Sequence, residues 1–172
     1  MPKKLGKRTD QRLALLKNQV SELLWYGEIK TTVDRAKAVR SLAEKYITIA
    51  MRAYKDDVKV TKTVTTTNSK GVKSQSEVEF TNDGPKKLAA RRRLMAELVD
   101  LQEVKGEKES KAAFRARIKD TKHPLIEKLF KEYAPKYDAR KEQLGQGGGY
   151  TRILKTGTRR GDAAETCNLK LI

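Results

Sequence analysis

The stretch of this chain with the most chemistry on offer is Gly145–Asp162, GQGGGYTRILKTGTRRGD. Glycine lets a backbone come close to phosphate, and arginine pairs phosphate oxygens bidentately. The two together suit either a nucleotide-cradling loop or a glycine-hinged hairpin that presses arginines onto a polyanion. A Walker loop needs Gly, four residues and then Gly-Lys-Ser/Thr, between a strand and a helix. No Gly-Lys-Ser/Thr occurs here, and a β-like segment follows the glycines. A dinucleotide fingerprint fails as well, because Tyr150 stands where its last glycine is needed. The other reactive residue types are isolated. His123 precedes Pro124 at a helix start with no titratable partner at a telling spacing, so it reads as a cap or an exposed residue. Asp162 follows two arginines and a glycine and reads as a turn residue or a local ion pair. Cys167 alternates with Leu169 and Leu171, the pattern of a small core-facing hydrophobe. One cysteine and one histidine exclude an internal disulfide and a Cys-rich metal site. No catalytic residue, metal or cofactor is expected.

Charge points to the partner. The 172 residues hold 39 Lys and Arg against 22 Asp and Glu, a formal net charge of +17. Such an excess repels itself in a compact state and calls for a polyanion, nucleic acid before an anionic membrane. No apolar run is long enough to span a bilayer, and MPKKLGKRTDQR has no apolar stretch behind its basic residues, so neither a span nor a secretory signal is expected. Neither a membrane nor a small-molecule substrate is expected as partner, and a reduced, cytoplasmic setting fits.

The elements that position these residues can be read along the chain. Residues 1–8 are a basic tail without apolar period, flexible until a partner orders it. Thr9 or Asp10 caps a first helix whose stripe is Leu13, Leu16, Val20, Leu23 and Leu24, ending at Gly27. A short strand covers Glu28–Thr31. Thr32 caps a second helix, to about Tyr54, with Ala36, Val39, Ala43, Tyr46, Ile47 and Ala50 inward. Residues 56–85 alternate and are rich in Val and Thr around NSKG, the signature of a β-hairpin. Pro85 opens a third helix, supported by Leu88, Leu94, Met95, Leu98 and Leu101. Lys86, Lys87, Arg91, Arg92 and Arg93 give its first half the wrong sign for a helix N-terminus, so a compensating polyanion is expected at Arg92 and Arg93. Residues 103–122 form a charged insertion, either a short helix or an exposed segment. Pro124 opens a helix with Leu125, Leu129, Phe130 and Tyr133 inward, which Pro135 stops. Two strands, Tyr150–Lys155 and Thr166–Ile172, flank the last glycine turn. In the first of them Tyr150, Arg152 and Leu154 share one face and Thr151, Ile153 and Lys155 the other. Tyr150 either stacks on a base or caps the core, and Ile153 or Leu154 anchors the hairpin.

KLGKRTDQR, EIKTTVDRAKAVRSLAEKYIT, LIEKLF, GGYTRILK and RRGD, in this order, resemble the bacterial large-subunit ribosomal protein L17 family. The resemblance implies a single α+β domain over 1–172, two-layered, with helices packed on a small mixed β-sheet. The 56–85 hairpin and the 103–122 insertion exceed the family's usual connections. It also implies a non-enzymatic structural constituent of the 50S subunit that braces 23S rRNA and touches neighbouring large-subunit proteins, on the solvent side near the peptide exit region. By motif, the implied rRNA contacts are Lys3, Lys4, Lys7, Arg8, Arg12, Lys17 and Asn18 in the first block. Thr31, Thr32, Arg35 and Lys37 follow in the second. The last block supplies Gly148, Gly149, Tyr150, Thr151, Arg152, Lys155, Arg159 and Arg160. A free RNA chaperone or nucleoid-type protein is the alternative from composition alone. A nuclease would need clustered carboxylates for metal ions, and here the acidic residues are scattered among basic ones.

Overall fold

A computed structural model describes residues 3–67, 73–119, 121–145 and 147–172. The NSKG turn read from the sequence lies outside them. Helix α1 spans Thr9–Tyr26 and buries Leu16, Val20, Leu23 and Leu24. Its stripe starts one turn later than the leucines suggest, since Leu13 is half exposed. Arg8 occupies the N-cap without a side-chain cap, and its guanidinium pairs with Asp10. At the other end Gly27 adopts φ 83° and donates its N–H to the Leu23 carbonyl, the expected left-handed stop.

Strand β1 (Glu28–Thr32) leads directly into α2 (Val33–Ala53). All six residues of the expected α2 stripe are buried. Ala36, Ala43 and Ala50 recur every seven residues with no exposed surface, so neighbouring backbones can approach this helix closely. It therefore runs through the middle of the domain, in contact with α1, the sheet and the later helices.

The β2–β3 hairpin (Asp57–Thr67, Lys73–Asp83) is paired in register from Asp57–Asp83 outward. Its base is tied to α3 (Pro85–Glu97) by carboxylates. Gly84 N–H donates to the Asp56 carbonyl (2.8 Å), and the Asp56 carboxylate accepts from Lys86 N–H (2.8 Å), taking the capping role that Gly84 cannot fill. Lys87 pairs with Asp57 (2.6 Å), and Arg91 pairs with Asp83 and with Glu127 (2.5 Å). The counter-charge for Lys87 and Arg91 is thus internal, while Arg92 and Arg93, where a polyanion is expected, stay exposed. Within the expected α3 stripe Leu94 and Leu98 are buried, while Leu88 and Met95 stay partly in solvent.

In the charged insertion a short helix α4 (Lys111–Ile118) forms, with the Ser110 hydroxyl accepting from Ala113 N–H and Arg117 bridging Glu103 and Glu109. Helix α5 (Pro124–Lys128) does not stop at Pro135. It passes through one π-helical turn, Leu129–Tyr133, into α6 (Ala134–Leu144). Ala134 N–H donates to Leu129 five residues back. The widened turn absorbs the missing proline donor that would have broken a regular helix. Leu125, Ile126, Leu129, Phe130, Tyr133 and Tyr137 all face the core as a result.

Strands β4 (Thr151–Thr158) and β5 (Glu165–Leu171) complete a sheet of order β1-β5-β4. The class is α+β as expected; the sheet expected to be mixed is antiparallel at both pairings. A bulge between Lys155 and Gly157, with φ 111° at the glycine, bends β4 just before its turn. Cys167, Leu169, Leu171, Thr151 and Ile153 point to the helices. Arg152 and Leu154 point to solvent, so Ile153 is the anchor of this hairpin.

Candidate nucleic-acid interface

Strand pairing decides which basic side chains share a surface. Residues opposite one another in antiparallel strands lie on the same face. Glu28 pairs with Lys170 and Lys170 with Arg152, while Lys30 pairs with Asn168 and Asn168 with Leu154. The sheet face turned away from the helices therefore carries Lys30, Arg152 and Lys170 in one exposed plane. Asn168 lies at its centre, its amide donating to Glu28 of the same face (3.4 Å) and its Oδ1 buried without a partner.

Beside this face lies an open cleft of about 390 Å³ whose wall combines Gln19 of α1, Thr31 and Thr32 of β1, Arg35 of α2, and Arg159 and Thr166 of the last hairpin. The Gln19 amide donates to the Thr31 hydroxyl (3.2 Å), leaving its own Oε1 buried and unpaired. Among the described residues Arg35 has no hydrogen-bond or ion-pair partner. Arg159 is oriented: its Nε and Nη2 each donate to an Asp162 oxygen at 2.6 Å, which leaves Nη1 unused by that pair. Hydrogen bonds from Arg159 and from Ala164 N–H hold the Asp162 carboxyl down at about 2. Asp162 is a turn organiser, as its spacing suggested. Cationic forks and hydroxyls together match what a ribose-phosphate chain presents: anionic oxygens and hydroxyls.

The residues expected from sequence fall into four groups. Thr31, Thr32, Arg35 and Arg159 converge in the cleft, and Arg152, Lys155 and Arg160 are exposed around it on the same hairpin. Lys3, Lys4, Lys7, Arg8 and Asn18 are exposed on or before α1, and Arg12 is partly covered. Lys3 donates to Asp34 (2.7 Å) and Lys17 to the Ala96 carbonyl (3.0 Å), so both already have partners in the fold. Lys37, Arg92, Arg93, Gly148 and Gly149 are exposed outside the cleft. Tyr150 and Thr151 are buried. The Tyr150 ring lies 4.7 Å from that of Tyr137, and the Thr151 hydroxyl donates to Glu44 (2.8 Å), so Tyr150 caps the core. Lys30, Lys170 and Gln19 were not anticipated. Strand alternation would have found Lys30, which is two residues from Glu28 and faces the same way. His123 does have a neighbour, Asp100 at 3.3 Å, which spacing could not reveal.

Comparison with known proteins then decides the lineage. Residues 15–172 match the family described as ribosomal protein L17. The chain belongs to the ribosomal protein L17 family. Among curated relatives, the large ribosomal subunit protein bL17 of Lachnospira eligens is 38% identical over 99% of this chain and 98% of its own length. The bL17 proteins of Acetivibrio thermocellus and Clostridium acetobutylicum are 36% and 35% identical, each over 99% of this chain and at least 96% of their own. L17 is a structural rather than an enzymatic family. The match leaves outside it only residues 1–14, where the basic tail and the start of α1 lie.

Proposed function

We propose that the chain is a structural constituent of the bacterial large ribosomal subunit. In the cytoplasmic ribosome it binds and braces 23S rRNA, beside neighbouring large-subunit proteins on the solvent side near the peptide exit region. The relatives' names supply the subunit. The observation that carries RNA contact is the cleft where Thr31, Thr32, Arg35 and Arg159 meet next to a sheet face bearing Lys30, Arg152 and Lys170. These residues come from distant parts of the chain, so the cleft exists only when the domain is folded, and it joins whatever RNA segments it grips.

The mechanism is charge neutralisation on a rigid frame. Arg35 and Arg160 pair phosphates, Arg159 is aimed by Asp162, and the basic residues from Lys3 to Arg12 lie along a second RNA strand. Gly148 and Gly149, both exposed and at positive φ, let the backbone pass close to RNA at the other end of α2. Phosphate contacts fix position and register, and release of condensed counterions drives association. Washing large subunits in rising salt tests this. The chain stays stoichiometric with the other proteins through a high-salt wash; its absence, or its release at low salt, refutes the proposal. With isolated 23S rRNA, Arg35→Ala and Arg160→Ala each flatten the slope of log K against log salt by about 0.7–0.9.

A further inference from the structure

The β2–β3 arm differs in charge from the rest of the chain. Residues 57–83 hold four lysines (59, 62, 70 and 73) and four carboxylates (57, 77, 79 and 83), so the whole +17 lies elsewhere. An element built to grip phosphates would not be neutral. The register sorts its side chains onto two faces. One carries Val58, Val60, Val64, Val78 and Phe80, with Val60 directly opposite Phe80. The other carries Glu77 and Glu79 among Thr61, Thr63, Thr65 and Thr81, with Lys59 its one cation among residues 57–65 and 75–83.

At the base the carboxylate-bearing face is turned to α3, since Asp57 and Asp83 pair there with Lys87 and Arg91. The apolar face is turned away from that helix. Val58 is 45% exposed, Val78 38% and Phe80 40%. Within the described residues the only charged side chain over it is Lys62, whose Nζ sits 5.5 Å from the Phe80 ring centre. A two-stranded ribbon with an uncovered apolar face is marginal in water and is completed by a surface that covers it.

We propose that this arm docks into a groove of a second, basic protein of the large subunit. An apolar wall meets Val58, Val60, Val78 and Phe80, and lysines or arginines of the opposite wall meet Glu77 and Glu79. The proposal rests on the ribosomal reading above. Its charge argument is separate: carboxylates on a neutral ribbon complement a cationic protein and repel RNA.

Site-specific photo-crosslinking in assembled subunits tests it. The full-length chain carries a benzophenone amino acid at Val78, and intact, salt-washed large subunits are irradiated. The expected product joins the chain to one other large-subunit protein. Phe80→Lys lowers its yield about tenfold, the scale of losing one interface anchor. Glu77→Lys with Glu79→Lys lowers it too, whereas an RNA partner would bind that variant more tightly. Crosslinks to rRNA or to a second copy of the chain overturn the proposal, as does no crosslink from a chain that is present in the subunit. A chain missing from the subunit altogether overturns the ribosomal reading itself, and the docking proposal with it.

Discussion

The junction between the hairpin and α3 predicts a sharp non-additivity. A Cβ built on Gly84 would stand 2.4–2.7 Å from the three carboxylate atoms of Asp56, distances that no side chain tolerates. The backbone does not forbid alanine, since φ −69° and ψ 172° are ordinary extended values. The conflict is with one short side chain, which can swing away only by giving up its hydrogen bonds to Lys86 and Lys87 N–H. Gly84→Ala should therefore lose the cap, about 1 kcal/mol within a range of roughly 0.5–2. A gain of about 0.4–1 kcal/mol from a stiffer unfolded chain partly offsets that loss. Asp56→Ala should cost about 1–2 kcal/mol, because the cap and the anion near a helix N-terminus vanish together. In the Asp56→Ala background the three clashing atoms are gone. There Gly84→Ala should be neutral or stabilising by about 0.5 kcal/mol. The cycle predicts a coupling of about 1 kcal/mol or more, well above the few tenths expected of independent sites. Urea unfolding of the free protein and its three variants measures it. Additive costs, or a Gly84→Ala penalty that survives removal of Asp56, would refute the reasoning.

Three other expectations follow from buried polar groups. Arg91 bridges Asp83 and Glu127 in a site where all three side chains are about four-fifths covered. Arg91→Met should cost about 2–3 kcal/mol, below the value for a fully buried pair because water still reaches the site. Burial alone would raise both carboxyls, but Arg91 with Lys87 at Asp83, and Arg91 with Lys131 at Glu127, hold them below their ordinary 3.8 and 4.5. Groups with depressed folded values stabilise above their unfolded values, so the stability gap between wild type and Arg91→Met should be flat near neutrality. It should close as pH falls through and below 4, as urea titrations at several pH values would show. The Tyr137 hydroxyl is buried without a partner, and burial pushes it up to about 12. Tyr137→Phe should thus be neutral or raise Tm by about 2–4 °C, and a clear loss would mean the hydroxyl is satisfied after all.

The first half of the fold was legible because its signals are local. Gly27 stops α1, Thr32 precedes α2, and the α2 stripe keeps its period over six residues, all of them buried. The failures came from distant residues. Pro135 reads as a stop until the preceding turn widens, and that turn is held by Leu129, Phe130 and Tyr133 packing on the core. Lys87 at the basic start of α3 reads as uncompensated charge until Asp57, thirty positions upstream, closes against it. Alternation divided Thr151 and Ile153 from Arg152 and Leu154, but only pairing with β5 fixed which pair faced inward. The cleft was legible as a set of motif residues and not as a place. Gln19 entered it because β1 and β5 fold back beside α1.

The same pairing data separate basic residues that hold the fold from those free to leave it. An exposed ion pair contributes about 0–1 kcal/mol, whereas a charge stripped of a covered partner costs several times that. Lys3–Asp34 and Lys155–Glu165 are exposed pairs, with lysine side chains about two-thirds in solvent. Either lysine can exchange its carboxylate for a phosphate at almost no cost to stability. Arg91 cannot, because it is enclosed by Asp83, Glu127 and the face of Phe130. Arg159 is intermediate: its pair with Asp162 is exposed, yet that pair fixes the guanidinium direction, so phosphate is best taken by the nitrogen left over. Arg35 carries no such constraint among the described residues. Its removal should therefore weaken RNA binding without lowering Tm, while removal of Arg91 should lower Tm and leave the salt slope of RNA binding unchanged. If both variants moved both observables together, the division between fold-holding and RNA-holding cations would be wrong.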